Sequence, residues 1–435
     1  MNAHRDRRGS ADFAVRRTRP WRPAVSVVAA VALAGVLAAC GGGPPAGGAR
    51  SSASGVPSAG TAPAAGASSA APSQSPSPAP VSRPPATRSC VARVFAGMSE
   101  AQRVGQLFLV GLAQDYVGPV TTAALEKYHF GSLLFAENTS EGAAAAASAT
   151  ARMQSLATQA ITGRVRFFVA ANQEGGQVQN LRGAGFAALP AALIQGSWSV
   201  GYLRQRAKAW GTELRSAGVN FDLAPVMDVV PAGTARSNAP IGQLDREFGY
   251  RPAVTGPHGA AFIAGMAAAG VATAAKHFPG LGRVAGNTDF TANVVDTVTT
   301  PDDPYFASYR SAISAGVPFV MVALATYTKI DPSSLAVFSP AVMRLLRSSL
   351  GFKGVIMSDD LGQAAAVADV PAGERAVRFI DAGGDMITSQ SLGPAEQMAR
   401  AVLSQAAASP AFRAMVNASV TRVLTAKQSY GLLPC

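Results

Sequence analysis

Four places in the 435-residue chain bring together side chains able to do chemistry: Asn172-Gln173-Glu174, Asp228, Lys276-His277 and Ser358-Asp359-Asp360. Carboxylates, an ammonium and an imidazole can carry protons, attack an electrophilic carbon or hold hydroxyl groups. Other chemistries lack their residues. Four histidines and three cysteines, with no Cys-x-x-Cys pair, are too few and too scattered for a zinc ribbon or a multi-histidine centre, so neither metal nor cofactor is expected. There is no Gly-x-Ser-x-Gly elbow for a serine hydrolase and no P-loop. Gly280-Leu281-Gly282-Arg283-Val284-Ala285-Gly286 superficially resembles a dinucleotide loop, but its third glycine comes one position late and Pro279 precedes it. Carboxylate chemistry remains.

These groups need elements to position them, and the surrounding pattern supplies them. Short aliphatic or β-branched runs recur at Leu107–Gly111, Ser132–Ala136, Val165–Ala171, Asn220–Val226, Gly270–Ala275, Pro318–Leu324, Gly354–Met357 and Asp385–Thr388. Stretches with helical spacing, such as Leu203–Ala217 and Ala253–Ala269, lie between them. Strands alternating with helices indicate parallel βαβ units, and eight runs match the count of a (β/α)8 TIM-type barrel, an α/β fold with one catalytic domain. Ser99-x-x-Gln102 fits a capping box for an opening helix. Most of the runs finish in the polar residues named above, and in a parallel barrel the C-terminal strand ends share one mouth. A common pocket is therefore expected.

Composition excludes a wholly disordered chain, since 48% of residues are hydrophobic and 14% charged. The net charge of +12 is concentrated at the start, where seven arginines against Asp6 and Asp12 put +5 into the first 39 residues. No basic run follows, so a nucleic-acid partner is not expected. An apolar stretch, Ala24–Ala39, comes after these arginines; its 16 residues are short for a membrane span of about 20, and the order describes an export signal. Its ending, Leu37-Ala38-Ala39-Cys40, resembles the bacterial lipobox. The expectation is a signal peptide over 1–39, a lipidated Cys40 on the extracytoplasmic face of the membrane, and a Gly/Ala/Ser/Pro tether over 40–89. The globular domain is expected over 90–435, bracketed by Cys90 and Cys435. After export those two can form a disulfide that staples the ends of a closed fold; two separate buried thiols are the alternative.

Four motifs together make a more specific likeness: Lys276-His277-Phe278-Pro279-Gly280, Gly354-Val355-Ile356-Met357-Ser358-Asp359-Asp360-Leu361, Asn172-Gln173-Glu174-Gly175-Gly176 and Arg246-Glu247-Phe248-Gly249. They resemble glycoside hydrolase family 3, in its single-domain β-N-acetylhexosaminidase branch, over about Met98–Leu433. The resemblance implies an exo-acting retaining β-N-acetylglucosaminidase that removes terminal GlcNAc from peptidoglycan fragments or related β-glycosides, with carbohydrate as its partner, working as a monomer. Asp359 matches the family nucleophile. Lys276, His277 and Arg246 match residues that hold sugar hydroxyls, and Asn172 stands at a sugar-binding position. Alone, Asp359 would read as a helix cap, His277 as a satisfied core histidine and Arg246 as a surface ion pair. Asp360 is expected to act at a helix N-terminus or behind the site, because like charge keeps it from sharing the site with Asp359, and Asp228 is expected to be structural.

The chain also departs from the family. An Asp-Ser-His triplet, whose histidine is the general acid and base, is here Asn287-Thr288-Asp289. Asn172 replaces an aspartate, and Gln177 and Asn180 stand where arginines are common. Two readings follow. Asp289 itself carries the proton, its pKa raised by a closed loop, while Asn287 orients that loop. Alternatively the acid is missing, and the domain is a tethered carbohydrate-binding lipoprotein with weak or no hydrolysis.

Overall fold

The computed structural model describes residues 89–112 and 117–435. The leader, Cys40 and the tether up to residue 88 lie outside the described residues. Eight parallel strands close into a barrel: β1 Phe108–Leu112, β2 Ser132–Phe135, β3 Phe168–Ala171, β4 Phe221–Asp222, β5 Ala272–Phe278, β6 Phe319–Val322, β7 Val355–Asp360 and β8 Met386–Ser389. Each strand pairs with the next in sequence, and β8 closes on β1 with Ile387 opposite Phe108. All eight expected runs overlap one of these strands, and those of β1, β5, β7 and β8 end before their strands do. They read as continuous apolar runs because they are covered on both faces, as in β1 (Phe-Leu-Val-Gly-Leu), where every residue is buried.

The helices form the outer layer. In Val200–Ser216 the buried residues are Leu203, Ala207, Trp210, Gly211 and Leu214, spaced to make one apolar stripe, and the Ser199 side chain accepts from Tyr202 N to start the helix. The next, Pro252–Ala268, lies so close to it that a Cβ on Gly265 would come 2.5 Å from the Arg204 carbonyl oxygen. Only glycine allows that approach. The expected capping box forms, with Gln102 N donating to Ser99 Oγ at 3.1 Å and Ser99 N to Gln102 Oε1 at 3.0 Å.

The bottom of the barrel is sealed. The rings of Phe168, Phe221 and Phe319, at the first positions of β3, β4 and β6, pack with centroids 4.4 to 5.4 Å apart. Beneath them Lys427, from the last helix Pro410–Ser429, is fully buried. Its ammonium donates to Gln106 Oε1, Gly131 O and Arg166 O at 2.7, 2.6 and 3.1 Å, and these acceptors precede β1, β2 and β3. With no carboxylate among those partners, burial pushes its pKa well down. Cys90 and Cys435 are joined in a disulfide across 345 residues, with Cα atoms 6.0 Å apart, so the ends of the domain meet. In a barrel filled at this end, the opposite mouth is where the polar strand ends converge. Among the described residues, no helix is long and apolar enough to cross a membrane.

Candidate active site at the barrel mouth

At that mouth lies a cavity of about 230 Å³ whose walls include Asn172, Arg246, Lys276, His277, Asp289 and Asp359. The six residues expected to bind or transform a sugar therefore share one space. Strand register explains part of this. Pairing of β5 with β6 is irregular between Ala275 and Phe278, and that of β7 with β8 between Met357 and Asp360. The irregular ends carry Lys276-His277 and Ser358-Asp359, and such breaks in a ladder re-aim side chains at functional sites. Lys276-His277 and Ser358-Asp359-Asp360 belong to the C-terminal parts of β5 and β7 themselves, whereas Asn172-Gln173-Glu174 and Asp228 follow β3 and β4 as the sequence pattern places them.

Glu174 organises one side of the cavity. It accepts two hydrogen bonds from Arg246, from Nε and Nη2, both at 2.8 Å, and pairs with Lys276 Nζ at 2.6 Å. Burial would raise its pKa, but the charges and hydrogen bonds of Arg246 and Lys276 overcome that and hold it at about 2. It stays ionised throughout the ordinary pH range, so both cations remain fixed. Lys276 also donates to Asn172 Oδ1 at 3.0 Å, and Arg246 Nη1 to the Pro240 carbonyl at 2.8 Å. Asn180 is a brace for Asn172: its Oδ1 accepts from Asn172 N at 2.7 Å. Gln177 is exposed, and it is not among the cavity-lining residues.

Asp228 is wholly buried, as expected of a structural residue. Its Oδ2 lies 2.7 Å from His277 Nδ1, while Oδ1 accepts from His277 N, Leu281 N and Tyr309 Oη at 3.1, 2.9 and 3.1 Å. Burial opposes its charge, but His277 and these donors lower its pKa overall. A proton on Nδ1 shared with that carboxylate leaves His277 Nε2 for the cavity side, 3.5 Å from Arg246 Nη2.

Asp359, the penultimate residue of β7, is half-buried on the wall. Asp360 turns away. It accepts from Gly362 N, Gln363 N and Gln390 N at 2.8, 3.2 and 2.9 Å, and burial raises its pKa. The expected helix N-terminus is absent there: a turn follows, and Asp360 instead ties the end of β7 to the residue after β8.

Asp289 hangs from the loop after β5. Its amide donates to Asn287 Oδ1 at 3.0 Å, an Asx turn that makes Asn287 the loop's orienting residue. The loop is also docked from the far side, since Ala365 N donates to Asp289 O and Ala366 N to Thr288 O, both at 3.1 Å. Those amides belong to the segment just after Asp359. Asp289 keeps one face open to solvent, yet the surrounding protein and then the Asp359 charge raise its pKa to about 6, against the lowering pull of His277 and Arg246. One carboxyl is thus disposed to hold a proton beside another that shares its cavity.

Glu174 and Asp222 were not singled out by sequence reasoning. Glu174 is the one acid in Asn172-Gln173-Glu174, which was its only signal. Asp222, at the end of β4, is buried; one oxygen accepts from Gln173 N at 3.0 Å and the other has no partner among the described residues. Burial, countered in part by that amide and by Lys276, pushes its pKa to about 7.

Known proteins resemble this chain in sequence and fold. The sequence profile described as "Glycosyl hydrolase family 3 N terminal domain" matches residues 101–426. A "Beta-N-acetylglucosaminidase/beta-glucosidase" of Cellulomonas fimi is 31% identical over 358 residues, covering 79% of this chain and 60% of that protein. "Beta-hexosaminidase LpqI" of Mycobacterium tuberculosis is 32% identical over 69% of this chain and 76% of its own length. The chain spans less than two thirds of the Cellulomonas protein's length, and 65% of a "Beta-hexosaminidase" of Stenotrophomonas maltophilia. The crystal structure of a "Beta-N-acetylhexosaminidase from Beutenbergia cavernae DSM 12333" superposes with a TM-score of 0.75 at 44% identity, covering 76% of this chain and 99% of that one.

Proposed function

The chain belongs to glycosyl hydrolase family 3, and on that premise we propose that it is an exo-acting retaining β-N-acetylglucosaminidase acting on terminal GlcNAc of wall fragments or related β-glycosides. In this reading the Asp359 carboxylate attacks C1, the bond from C1 to the leaving oxygen breaks, and Asp289 gives its proton to that oxygen. Water then attacks C1 of the glycosyl-enzyme, Asp289 takes its proton, and Asp359 is released with the β configuration kept. Asn172, Arg246, Lys276 and His277 hold the sugar, and Glu174 and Asp228 hold those side chains in place. The observation that carries this is the shared cavity of about 230 Å³ in which Asp359 and a proton-retaining Asp289 meet the cationic clamp. Its size favours one terminal sugar over a chain.

The test is covalent trapping. A fluorinated glycosyl or cyclitol-type inactivator should add one label, and peptide mass spectrometry should find it on Asp359. A label elsewhere, or none while the sugar still binds, overturns the nucleophile and leaves a carbohydrate-binding protein.

We further propose that the domain over 90–435 is held outside the cell by a lipidated Cys40 and the 40–89 tether, supported by Leu37-Ala38-Ala39-Cys40 after an apolar stretch. Cys40→Ala should move the protein from the membrane pellet to the soluble fraction; a chain that stays in the pellet has another anchor.

A further inference from the structure

The closed end of the barrel carries a cavity of its own. It measures about 350 Å³ and lies where the helices Ala143–Ser155 and Val200–Ser216 run down to the residues that precede β3 and β4, lined in part by Gln154, Arg166, Arg215, Asn220 and Tyr430. We infer that this face docks on an anionic phospholipid surface, with a lipid phosphate seated between Arg166 and Arg215. The inference goes beyond the glycosidase reading and takes its setting from the lipid-anchored one.

Charge carries the first part of the argument. Arg166 and Arg215 are exposed, and neither guanidinium has a partner among the described residues. The described residues that line the cavity include no carboxylate. Glu213, two positions before Arg215, is engaged elsewhere, accepting from Ala187 N at 2.8 Å. The neutral polar side chains are taken: Thr150 Oγ1 donates to Ala217 O, Gln154 Nε2 and Asn220 Nδ2 to Phe167 O, and Ser216 Oγ to Glu213 O, at 2.7 to 3.1 Å. The donors left for a ligand are the two guanidiniums and the Tyr430 hydroxyl, which burial keeps protonated by pushing its pKa up to about 12. That set suits the oxygens of a phosphodiester. Arg215, in the last turn of its helix, also complements the helix C-terminus. Arg166 lies outside any helix, so the helix dipole does not account for it.

The second part is where the chain enters. The Arg166 backbone is fixed on both sides, its N donating to Leu432 O at 2.8 Å and its O accepting from buried Lys427 at 3.1 Å. Leu432 also lines the cavity, and three residues past it Cys435 is bonded to Cys90, the second of the described residues. The segment leading from Cys40 therefore joins the domain beside this cavity. Contact with the lipid that would hold Cys40 needs no passage around the barrel. Two more exposed arginines, Arg152 and Arg164, stand close by in the chain, at the end of the helix Ala143–Ser155 and two residues before Arg166. Docked in this way, the barrel keeps its catalytic mouth, at the opposite end, facing away from the lipid.

The test is sedimentation with vesicles. A chain starting at residue 41 keeps the proposed tether and the whole described domain but has neither the arginine-rich leader nor an acyl chain. It should bind vesicles of phosphatidylcholine mixed equally with phosphatidylglycerol, leave phosphatidylcholine vesicles alone, and lose binding as salt rises. Arg166→Gln and Arg215→Gln should each lower the partition coefficient by about fivefold, and the pair together by about twentyfold. Arg204→Gln removes an exposed charge near the other end of the helix that carries Arg215, and should leave partitioning nearly unchanged. Thermal unfolding midpoints of all four should match the parent's, since these side chains are exposed. Equal sedimentation with both kinds of vesicle overturns the inference, and so does a loss in Arg204→Gln as large as that in Arg166→Gln. Inorganic phosphate that releases the protein where chloride at equal ionic strength does not assigns the cavity to a free anion instead, and also overturns it. With no acyl chain present, the result is independent of the Cys40→Ala fractionation, so failure of the anchor and failure of the docking face are told apart.

Discussion

Asp359→Asn is expected to lower kcat/KM by about 10⁴-fold or more on a disaccharide and on an activated aryl glycoside alike, because an amide cannot form the glycosyl-enzyme on which both reactions depend. The side chain lines the cavity from the wall, and the adjacent acid, Asp360, is engaged by three backbone amides. No second carboxylate on this strand is placed to take over. Asp359→Gly sharpens the result through stereochemistry. Azide entering the emptied space attacks C1 from the side the carboxylate would have used, so activated substrate should give the α-glycosyl azide. A loss smaller than tenfold, or a β-azide from Asp359→Gly, removes Asp359 from the nucleophile's role.

Asp289→Ala should separate substrates that Asp359 variants treat alike. On a disaccharide, whose leaving oxygen needs a proton, the loss should be about 10²–10⁴-fold. On a dinitrophenyl glycoside the first step needs no acid, so the loss there should be much smaller, and azide should yield the β-glycosyl azide through the intact glycosyl-enzyme. The pH profile follows from the raised pKa. Asp289 must be protonated to act as acid, and burial together with Asp359 puts its pKa at about 6. The wild-type kcat/KM on a disaccharide should therefore fall as pH rises through about 6, while the rate on the dinitrophenyl glycoside should not show that limb. Equal losses on both substrates would show that Asp289 is not the acid. So would an alkaline limb that survives in Asp289→Asn.

Much of this was legible in the residues because parallel strands covered on both sides must be apolar throughout. Runs such as Val355-Ile356-Met357 therefore stand out from the polar Ser358-Asp359-Asp360 that follows them. Polar tails after such runs have one shared place to go, the barrel mouth, which is how Lys276-His277 and Ser358-Asp359 could be grouped without coordinates. Ser99 and Gln102 form their box because that signal is local. Asp360 shows the limit: the residues alone left a helix N-terminus and a place behind the site both open, and its partner Gln390 lies 30 positions away.

What the amino-acid order alone determined was the list of elements and the kinds of group at their ends, since both follow from contacts between near neighbours in the chain. The tertiary structure decided which groups meet. Glu174 reaches Arg246 across 72 positions, Asp228 reaches His277 across 49 and Tyr309 across 81. The amide of Ala365 moors Asp289 over the segment that follows Asp359. Those pairings depend on strand order, on register and on the irregular ends of β5 and β7, which arise only when the barrel closes. Closure gathers scattered acids around one space: Glu174 clamped by two cations, Asp359 on the wall, and Asp289 with its pKa raised to about 6.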